Sequence, residues 1–300
     1  MNPDILRERA KIVSAIRRFF DERGFIEVET AVRIPAPAPE EHIDCPPVVG
    51  GGYLRASPEL QMKKLLAAGM DKIYQIGPCF REGEKGSRHN PEFTMLEWYR
   101  KNATYLDIKG DLENLLNTEF SIGESAGRST SQSPSGTQIP ADGGSVFKVL
   151  KVRDAYLQYA GWDPWEGAWD QDRFDFDMAT KIESAIKSIG GGVFLMDYPP
   201  QAASLAKISP PVAERWEFYW DGLELANCFT ELCDSDEQRM RFEAAKKSRI
   251  LLKESDYPID NEFIESLPRI GSAAGVALGI DRLVMVLTKT KEIASVRASL

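Results

Sequence analysis

The sequence predicts a mixed chain of helices and strands, an α+β protein, on three observations. Ile12, Ile16, Phe19 and Phe20 fall at i, i+4, i+7 and i+8, one face of a helix over 11–23, and Gly24 is its stop. Phe93 to Arg100 alternates with period two, so Phe93, Met95, Glu97 and Tyr99 share one strand face, and Thr94, Leu96, Trp98 and Arg100 the other. Two further alternating runs, Trp216–Trp220 and Leu223–Asn227, are joined by Asp221-Gly222, a hairpin signal.

The remaining elements follow in order. Phe25 to Thr30 alternates as a strand, with Ile26 and Val28 opposite Glu27 and Glu29. Residues 34–52 are rich in Pro and Gly and read as an irregular connection. Ser57 is placed to cap a helix that has Pro58 at its first position and Glu59 at its positive end. A short strand, Asp71–Gly77, leads into the charged loop Arg81–Asn90. A helix carries Tyr105, Ile108, Leu112, Leu115 and Leu116, and residues 121–145 are too polar and repetitive to bury a core, so they read as a mobile insertion. Residues 146–190 read as helical around a Trp-rich turn, with a stripe of Met178, Ile182, Ile186 and Ile189, and Val193–Tyr198 as a buried strand. Asp234 or Ser235 caps a long polar helix to about Glu254, and Ala274–Ile280 is a glycine-marked strand turning into a helix at Asp281.

Composition excludes several classes. The 300 residues are 43% hydrophobic and 28% charged, as in ordinary globular proteins. No apolar run approaches the roughly 20 residues that span a bilayer, and the charged start MNPDILRERAKIV lacks the apolar core of a secretion signal, so the expectation is cytoplasmic with no membrane partner. A net charge of −9 argues against broad nucleic-acid binding. Cys45, Cys79, Cys228 and Cys233 form no CxxC pair and read as buried thiols rather than a zinc site.

Chemistry gathers in three places. Arg81, at a strand end before a strand carrying Glu97 and Tyr99, suits a polyanion lying beside a small cationic substrate, because guanidinium forks onto phosphate while carboxylate and phenol hold an ammonium. Glu224 and Glu231 are spaced carboxylates of the kind that hold Mg²⁺ beside a nucleotide. Arg282 lies in the first turn of a helix, where the dipole also favours an anion.

The run RHNPEFTMLEWY closely resembles motif 2 of the class II aminoacyl-tRNA synthetases in the lysyl-tRNA synthetase form, and GVALGIDRLVMVL resembles motif 3. The helix, Gly-Phe, strand and Glu-Thr of 11–30 resemble motif 1, and GLELANCFTEL resembles the family segment Glu-x-x-Asn-Gly-Phe-x-Glu. The chain departs from the family at four places: Gly83 stands where motif 2 has Glu, flanked by Glu82 and Glu84; Ala31 replaces a Pro; Cys228 replaces a Gly; and Ala277 replaces the middle Gly of Gly-x-Gly-x-Gly.

This resemblance implies a single catalytic domain over 1–300, an antiparallel sheet flanked by helices, dimeric through motif 1, that uses ATP and Mg²⁺ to form an aminoacyl adenylate. By resemblance, Arg81 and Arg282 serve the reacting phosphates. ATP is held by Arg81, Glu82, Gly83, Asn90, Phe93, Glu224, Leu225, Gly279 and Arg282, and the metal by Glu224 and Glu231. The amino acid is held by Ser57, Pro58, Glu59, Tyr99, Asn227, Glu231 and Ala277, with Glu59 near its α-amine and Glu231 on its side-chain ammonium. Motif 1 begins within about the first 25 residues, which leaves no room for the family's anticodon-binding barrel. That arrangement resembles the truncated lysyl-tRNA synthetase paralogs that attach (R)-β-lysine to a lysine of elongation factor P, so the implied partners are that factor and lysine or β-lysine, with no stable tRNA binding. The methyl of Ala277 reshapes the pocket floor, as suits an amino acid other than α-lysine. Two other readings stay open here: a minimal enzyme acylating tRNA or another amine, and a non-catalytic ATP-binding relative.

Overall fold

The computed structural model describes residues 2–121, 147–252 and 254–298. Beyond Ser121, the insertion expected at 121–145 lies outside the described residues. The chain divides into two units: 1–103 with 231–300, and 104–230.

The first unit opens with α1 (Pro3–Asp21), which starts eight residues earlier than the apolar stripe alone indicates. Asn2 caps it, its Oδ1 accepting the Asp4 N–H at 3.0 Å. Ile12, Ile16, Phe19 and Phe20 are its buried face, and Gly24 ends it with φ +72°. The expected strand over 25–30 shrinks to β1 (Ile26–Glu27), with Phe25 buried and Ile26 exposed, the reverse of the expected facing. Next come the short pair β2 (Arg33–Ile34) and β3 (Tyr53–Leu54), then α2 (Glu59–Ala67), β4 (Lys72–Phe80) and β5 (Glu92–Lys101). β4 and β5 form one long antiparallel hairpin whose last pair is Phe80 with Glu92, so Arg81–Pro91 is the loop at its tip.

The second unit runs from α3 (Tyr105–Phe120) through β6 (Lys148–Lys151), α4 (Val152–Ala155), α5 (Gln171–Asp177), α6 (Glu183–Ile189), β7 (Gly192–Tyr198), β8 (Ile208–Ser209) and β9 (Val212–Trp220) to β10 (Leu223–Thr230). β6 corrects the all-helical reading of 146–190: Val149 and Leu150 run parallel to Phe194 and Leu195 and complete a sheet edge. Its core packs Tyr156 and Phe174, stacked at 4.7 Å, with Ile182, Ile186, Val193 and Leu195. The expected Asp221-Gly222 turn is present, both residues at positive φ.

The chain completes the first unit with α7 (Ser235–Leu252), α8 (Asn261–Ser266), β11 (Ala273–Gly279) and α9 (Ile280–Leu287). Asp234 is the cap of α7, its Oδ1 accepting from the Asp236 and Glu237 amides. α7 is less peripheral than its polarity suggests, since Gln238, Phe242 and Arg249 are buried. β11 pairs antiparallel with β5, Gly275 opposite Tyr99, Ala277 opposite Glu97 and Gly279 opposite Met95. The α+β class and mainly antiparallel pairing are as expected; the pairs of β1 with β4 and β6 with β7 run parallel.

Candidate functional site

In the first unit, the alternation of β5 and β11 puts Met95, Glu97 and Tyr99 beside Gly275, Ala277 and Gly279 on one face. Glu97 is buried at 1% exposure and takes two hydroxyl donors: Ser57 Oγ to Oε1 at 2.7 Å and Tyr99 Oη to Oε2 at 2.9 Å. Burial, reinforced by the nearby charge of Glu59, pushes the Glu97 carboxyl up to about 7, against the opposing pull of the two hydroxyls and Arg55. The Tyr99 phenol is pushed far above its ordinary range by burial and by Glu97, so it remains a donor.

Ser57 also accepts the Glu59 N–H at 3.0 Å, but the helix starts one residue later than the sequence suggests and Pro58 stands in the capping position. That start aims Glu59 inward. Glu59 Oε1 lies 2.6 Å from Lys63 Nζ, one helical turn on, and Lys63 also contacts Glu231 Oε2. Lys63 and Glu231 are both buried. Burial alone would discharge Lys63, yet Glu231 and Glu59 outweigh it and hold the ammonium above the ordinary lysine range. The Glu231 carboxyl is pushed upward by its burial and by Glu59 and Glu97, with Lys63 opposing. A small cavity of about 20 Å³, open at its mouth, borders this cluster; Glu40, Ser57, Glu59 and Gln61 give it a polar side and Ile34, Pro37, Cys45 and Leu60 an apolar one.

The β4–β5 loop and the start of α9 build the cationic part. Arg282 Nη2 donates to His89 Nε2 at 2.7 Å, and its Nε reaches the Arg88 carbonyl at 3.4 Å. Burial and then the Arg282 charge lower the His89 pKa, which favours the neutral, accepting ring. The first turn of α9 is anchored by Asp281, which accepts the Thr94 N–H at 3.1 Å and pairs with Arg9 at 2.6 Å. Arg81 lies over the Phe93 ring at 5.1 Å, and its Nε is buried without a hydrogen-bond partner. Arg81, Arg88 and Arg282 all act electrostatically on His89, and a buried guanidinium N–H without a partner is a donor that fits a phosphate oxygen. Gly83 has φ +79°, a conformation a Glu would adopt only under strain, and of its two flanking acids Glu84 is the one that reaches Arg81, at 3.5 Å. Glu82 is exposed, its N–H donating to the Asp44 carbonyl. Asn90 is half-buried in the loop, and Gly279 begins α9.

Glu224, Leu225 and Asn227 lie on β10 of the second unit. Simple alternation separates Glu224 from Asn227, but a bulge between Glu224 and Ala226 shifts the register. Glu224 then pairs with Tyr219, Asn227 with Glu217 and Phe229 with Arg215, so Glu224 and Asn227 share a face, and Leu225 is buried. Asn227 Oδ1 is buried with no hydrogen-bond partner, as a ligand-facing amide would be.

The sequence candidates omit Lys63, whereas the sequence already singles out Glu97 beside Tyr99 as an ammonium-holding carboxylate. The period of β5 puts Glu97 on the Tyr99 face, and the four-residue step from Glu59 to Lys63 is an ion-pair spacing, so both signals were present. Among the described residues no group of three or more His, Cys, Asp or Glu is arranged to hold a metal, and no helix is long and apolar enough to cross a membrane. Cys45, Cys79 and Cys228 are buried free thiols as expected, whereas Cys233, expected to be buried too, is only half-buried.

Residues 2–298 match the family model described as tRNA synthetases class II (D, K and N). Curated relatives include three proteins named elongation factor P–(R)-β-lysine ligase. That of Proteus mirabilis is 36% identical, that of Sodalis glossinidius 38% and that of Photobacterium profundum 37%, each alignment covering 98% of this chain and 94% of the relative. With the motif 2 loop, the Glu97–Tyr99 face and the motif 3 arginine joined on one strand pair and the match running nearly end to end, the chain belongs to the class II tRNA synthetases of the D, K and N group.

Proposed function

We propose that this protein is an ATP-dependent ligase that activates (R)-β-lysine, or lysine, as an adenylate and transfers it to a lysine side chain of elongation factor P. The observation that carries this reading is an acidic cluster, Glu59, Glu97 and Glu231, together with a cationic one, Arg81 on the β4–β5 loop and Arg282 on α9, both built around the β5–β11 strand pair. Four residues of strand, about 13 Å, separate Glu97 from Phe93, the scale on which an amino acid and a triphosphate meet end to end. The names of the relatives support the choice of acceptor and amino acid.

In the first step a carboxylate oxygen of the amino acid attacks the α-phosphorus of ATP, and pyrophosphate leaves. Arg81 lies against the attacking carboxylate and the α-phosphate, where charge develops, and Arg282 holds the departing phosphates. Glu59 and Glu231 grip the two ammonium groups, Ser57 fills a remaining polar contact, and Ala277 shapes the floor. The Phe93 ring and Gly279 border the adenine, with Glu82, Gly83 and Asn90 along its edge. Mg²⁺ supplies charge neutralisation to the phosphates. Glu224 is the residue suited to it together with those phosphates, whereas the Glu231 carboxylate already has Lys63 as its cation. In the second step the acceptor amine attacks the adenylate carbonyl, an amide forms, and AMP leaves.

The same reading takes 1–300 as one catalytic domain, working as a homodimer in the cytoplasm without stable tRNA binding. Exchange of labelled pyrophosphate into ATP, dependent on β-lysine or lysine, tests the first step. No exchange with either isomer counts against the proposal, and size-exclusion chromatography with light scattering tests the dimer.

A further inference from the structure

Residues 35–45 leave β2 as an irregular, proline-rich segment. Pro37, Ala38, Glu40 and Cys45 of this segment line the small cavity beside the acidic cluster, together with Ser57 and Glu59. An irregular segment has no ladder to satisfy its backbone, so its carbonyls need partners from elsewhere. Arg249 supplies them from the last turn of α7, where it is buried at 0% exposure. Its Nη1 donates to the carbonyls of Glu40 at 2.5 Å and Ile43 at 3.0 Å, and its Nη2 to Asp44 Oδ1 at 2.5 Å. Its Nε donates to the Ser255 carbonyl at 2.9 Å, so the same fork also pins the chain that leaves α7. The guanidinium lies over the Tyr257 ring at 4.4 Å. The Tyr257 hydroxyl in turn donates to Asp44 Oδ1 at 3.0 Å and accepts the Cys45 N–H at 2.7 Å.

Burying a guanidinium is costly unless it is paired, and Asp44 and Glu254 are its counter-charges. Filling space at this position would need only an apolar side chain. A planar fork that meets three acceptors of one loop instead fixes the path of that loop. We infer that Arg249, with Tyr257, is a positioning residue for the amino-acid site: it holds 40–45 as a preformed wall beside Glu59. The inference rests on the proposed amino-acid site, but its first test does not require activity.

Cys45 reports on the wall. Its thiol lines the cavity, is 3% exposed, and is pushed up to about 11 by burial, so it reacts slowly while the wall is fixed. The test is the rate of N-ethylmaleimide labelling at each cysteine, read by peptide mass spectrometry, in the intact wild-type, Arg249→Met and Tyr257→Phe proteins. Labelling of Cys45 is expected to be at least about tenfold faster in Arg249→Met, with a smaller rise in Tyr257→Phe and with buried Cys79 and Cys228 still protected. An unchanged rate at Cys45 overturns the inference. So does a rise shared equally by Cys79 and Cys228, which marks a general loss of stability. Where Arg249→Met does not fold, Tyr257→Phe decides on the same criteria.

The second test is pyrophosphate exchange. The KM for the amino acid is expected to rise about tenfold in Arg249→Met and about two- to tenfold in Tyr257→Phe, which loses one hydroxyl and its hydrogen bonds. The KM for ATP should rise less, through the Asp44 carbonyl that accepts the Glu82 N–H at 2.8 Å. Arg249→Lys keeps the charge without the fork and should recover only part of the loss. A fall in kcat with both KM values unchanged, as a smaller folded fraction gives, overturns the inference, and so does full recovery with lysine. A wild-type protein inactive with both lysine isomers removes the proposed function, and the labelling comparison still decides whether Arg249 holds the wall.

Discussion

The Tyr99 ring lies directly over Gly275: a methyl group at Gly275 would stand 2.1 Å from Tyr99 Cδ1 and 2.9 Å from Glu231 Oε1. The glycine is required here by close approach, not by its backbone angle, and its absent side chain leaves the space in which Tyr99 reaches Glu97. Gly275→Ala should push the ring aside, destabilise the protein by about 1–3 kcal/mol and raise the amino-acid KM more than the ATP KM. Thermal melts and exchange kinetics check this; an unchanged variant would contradict the role given to the contact.

Glu97 carries a pH signature. Its carboxyl is raised to about 7, so the stability it permits is complete below about 4.5 and declines as pH rises through 7, because the folded state must shed a proton that the unfolded state has already lost. Glu97→Gln removes the charge and keeps one of the two acceptor oxygens that Ser57 and Tyr99 use. It should stabilise the protein at pH 8 relative to pH 5 by on the order of 3 kcal/mol, read from thermal melts, and weaken amino-acid binding. Equal effects at both pH values would show that Glu97 is ionised throughout.

Much of this arrangement is legible in the sequence. The β5 alternation, the Asp221-Gly222 hairpin and the glycine-marked β11 were all visible as local patterns, because each depends on period or turn chemistry within a few residues. Glu97 is legible from the β5 period, but Lys63 is not, because its role arises from Glu231, 168 residues away, which no local period encodes. The bulge that turns Asn227 onto the Glu224 face also escaped, since period two assumes an unbroken strand. β6 was missed because a four-residue edge strand of Lys-Val-Leu-Lys is too short to carry a pattern.

Arg282 meets two loop acceptors at once, His89 Nε2 and the Arg88 carbonyl. Arg282→Ala should lower kcat/KM for ATP by about 10²-fold, and Arg282→Lys should restore little, because a single ammonium cannot reproduce the fork. Full recovery with lysine would reduce Arg282 to a simple point charge.

The His89 ring is favoured neutral, with Arg282 as its donor. Protonation at acid pH abolishes the acceptor and sets two cations together. The contribution of this contact is therefore present above the ordinary histidine pKa and lost as pH falls through the lowered folded value. Limited proteolysis within the Arg81–Asn90 loop should quicken in the wild type as the pH falls below the ordinary histidine range. The same pH response in His89→Gln would point to another titrating group.

Ala277 sits opposite Glu97 in the β5–β11 pair. Ala277→Gly removes one methyl and should shift the preference between (R)-β-lysine and α-lysine toward α-lysine by about 1–3 kcal/mol, read as the ratio of kcat/KM values in exchange assays. An unaltered ratio would move isomer selection elsewhere in the site.

The most direct measurement is intact mass spectrometry of elongation factor P and of bulk tRNA after incubation with this protein, ATP, Mg²⁺ and either lysine isomer. The account predicts a gain of one lysyl group on the factor, faster with (R)-β-lysine, and none on tRNA. Gain on tRNA alone, or on neither, would contradict it.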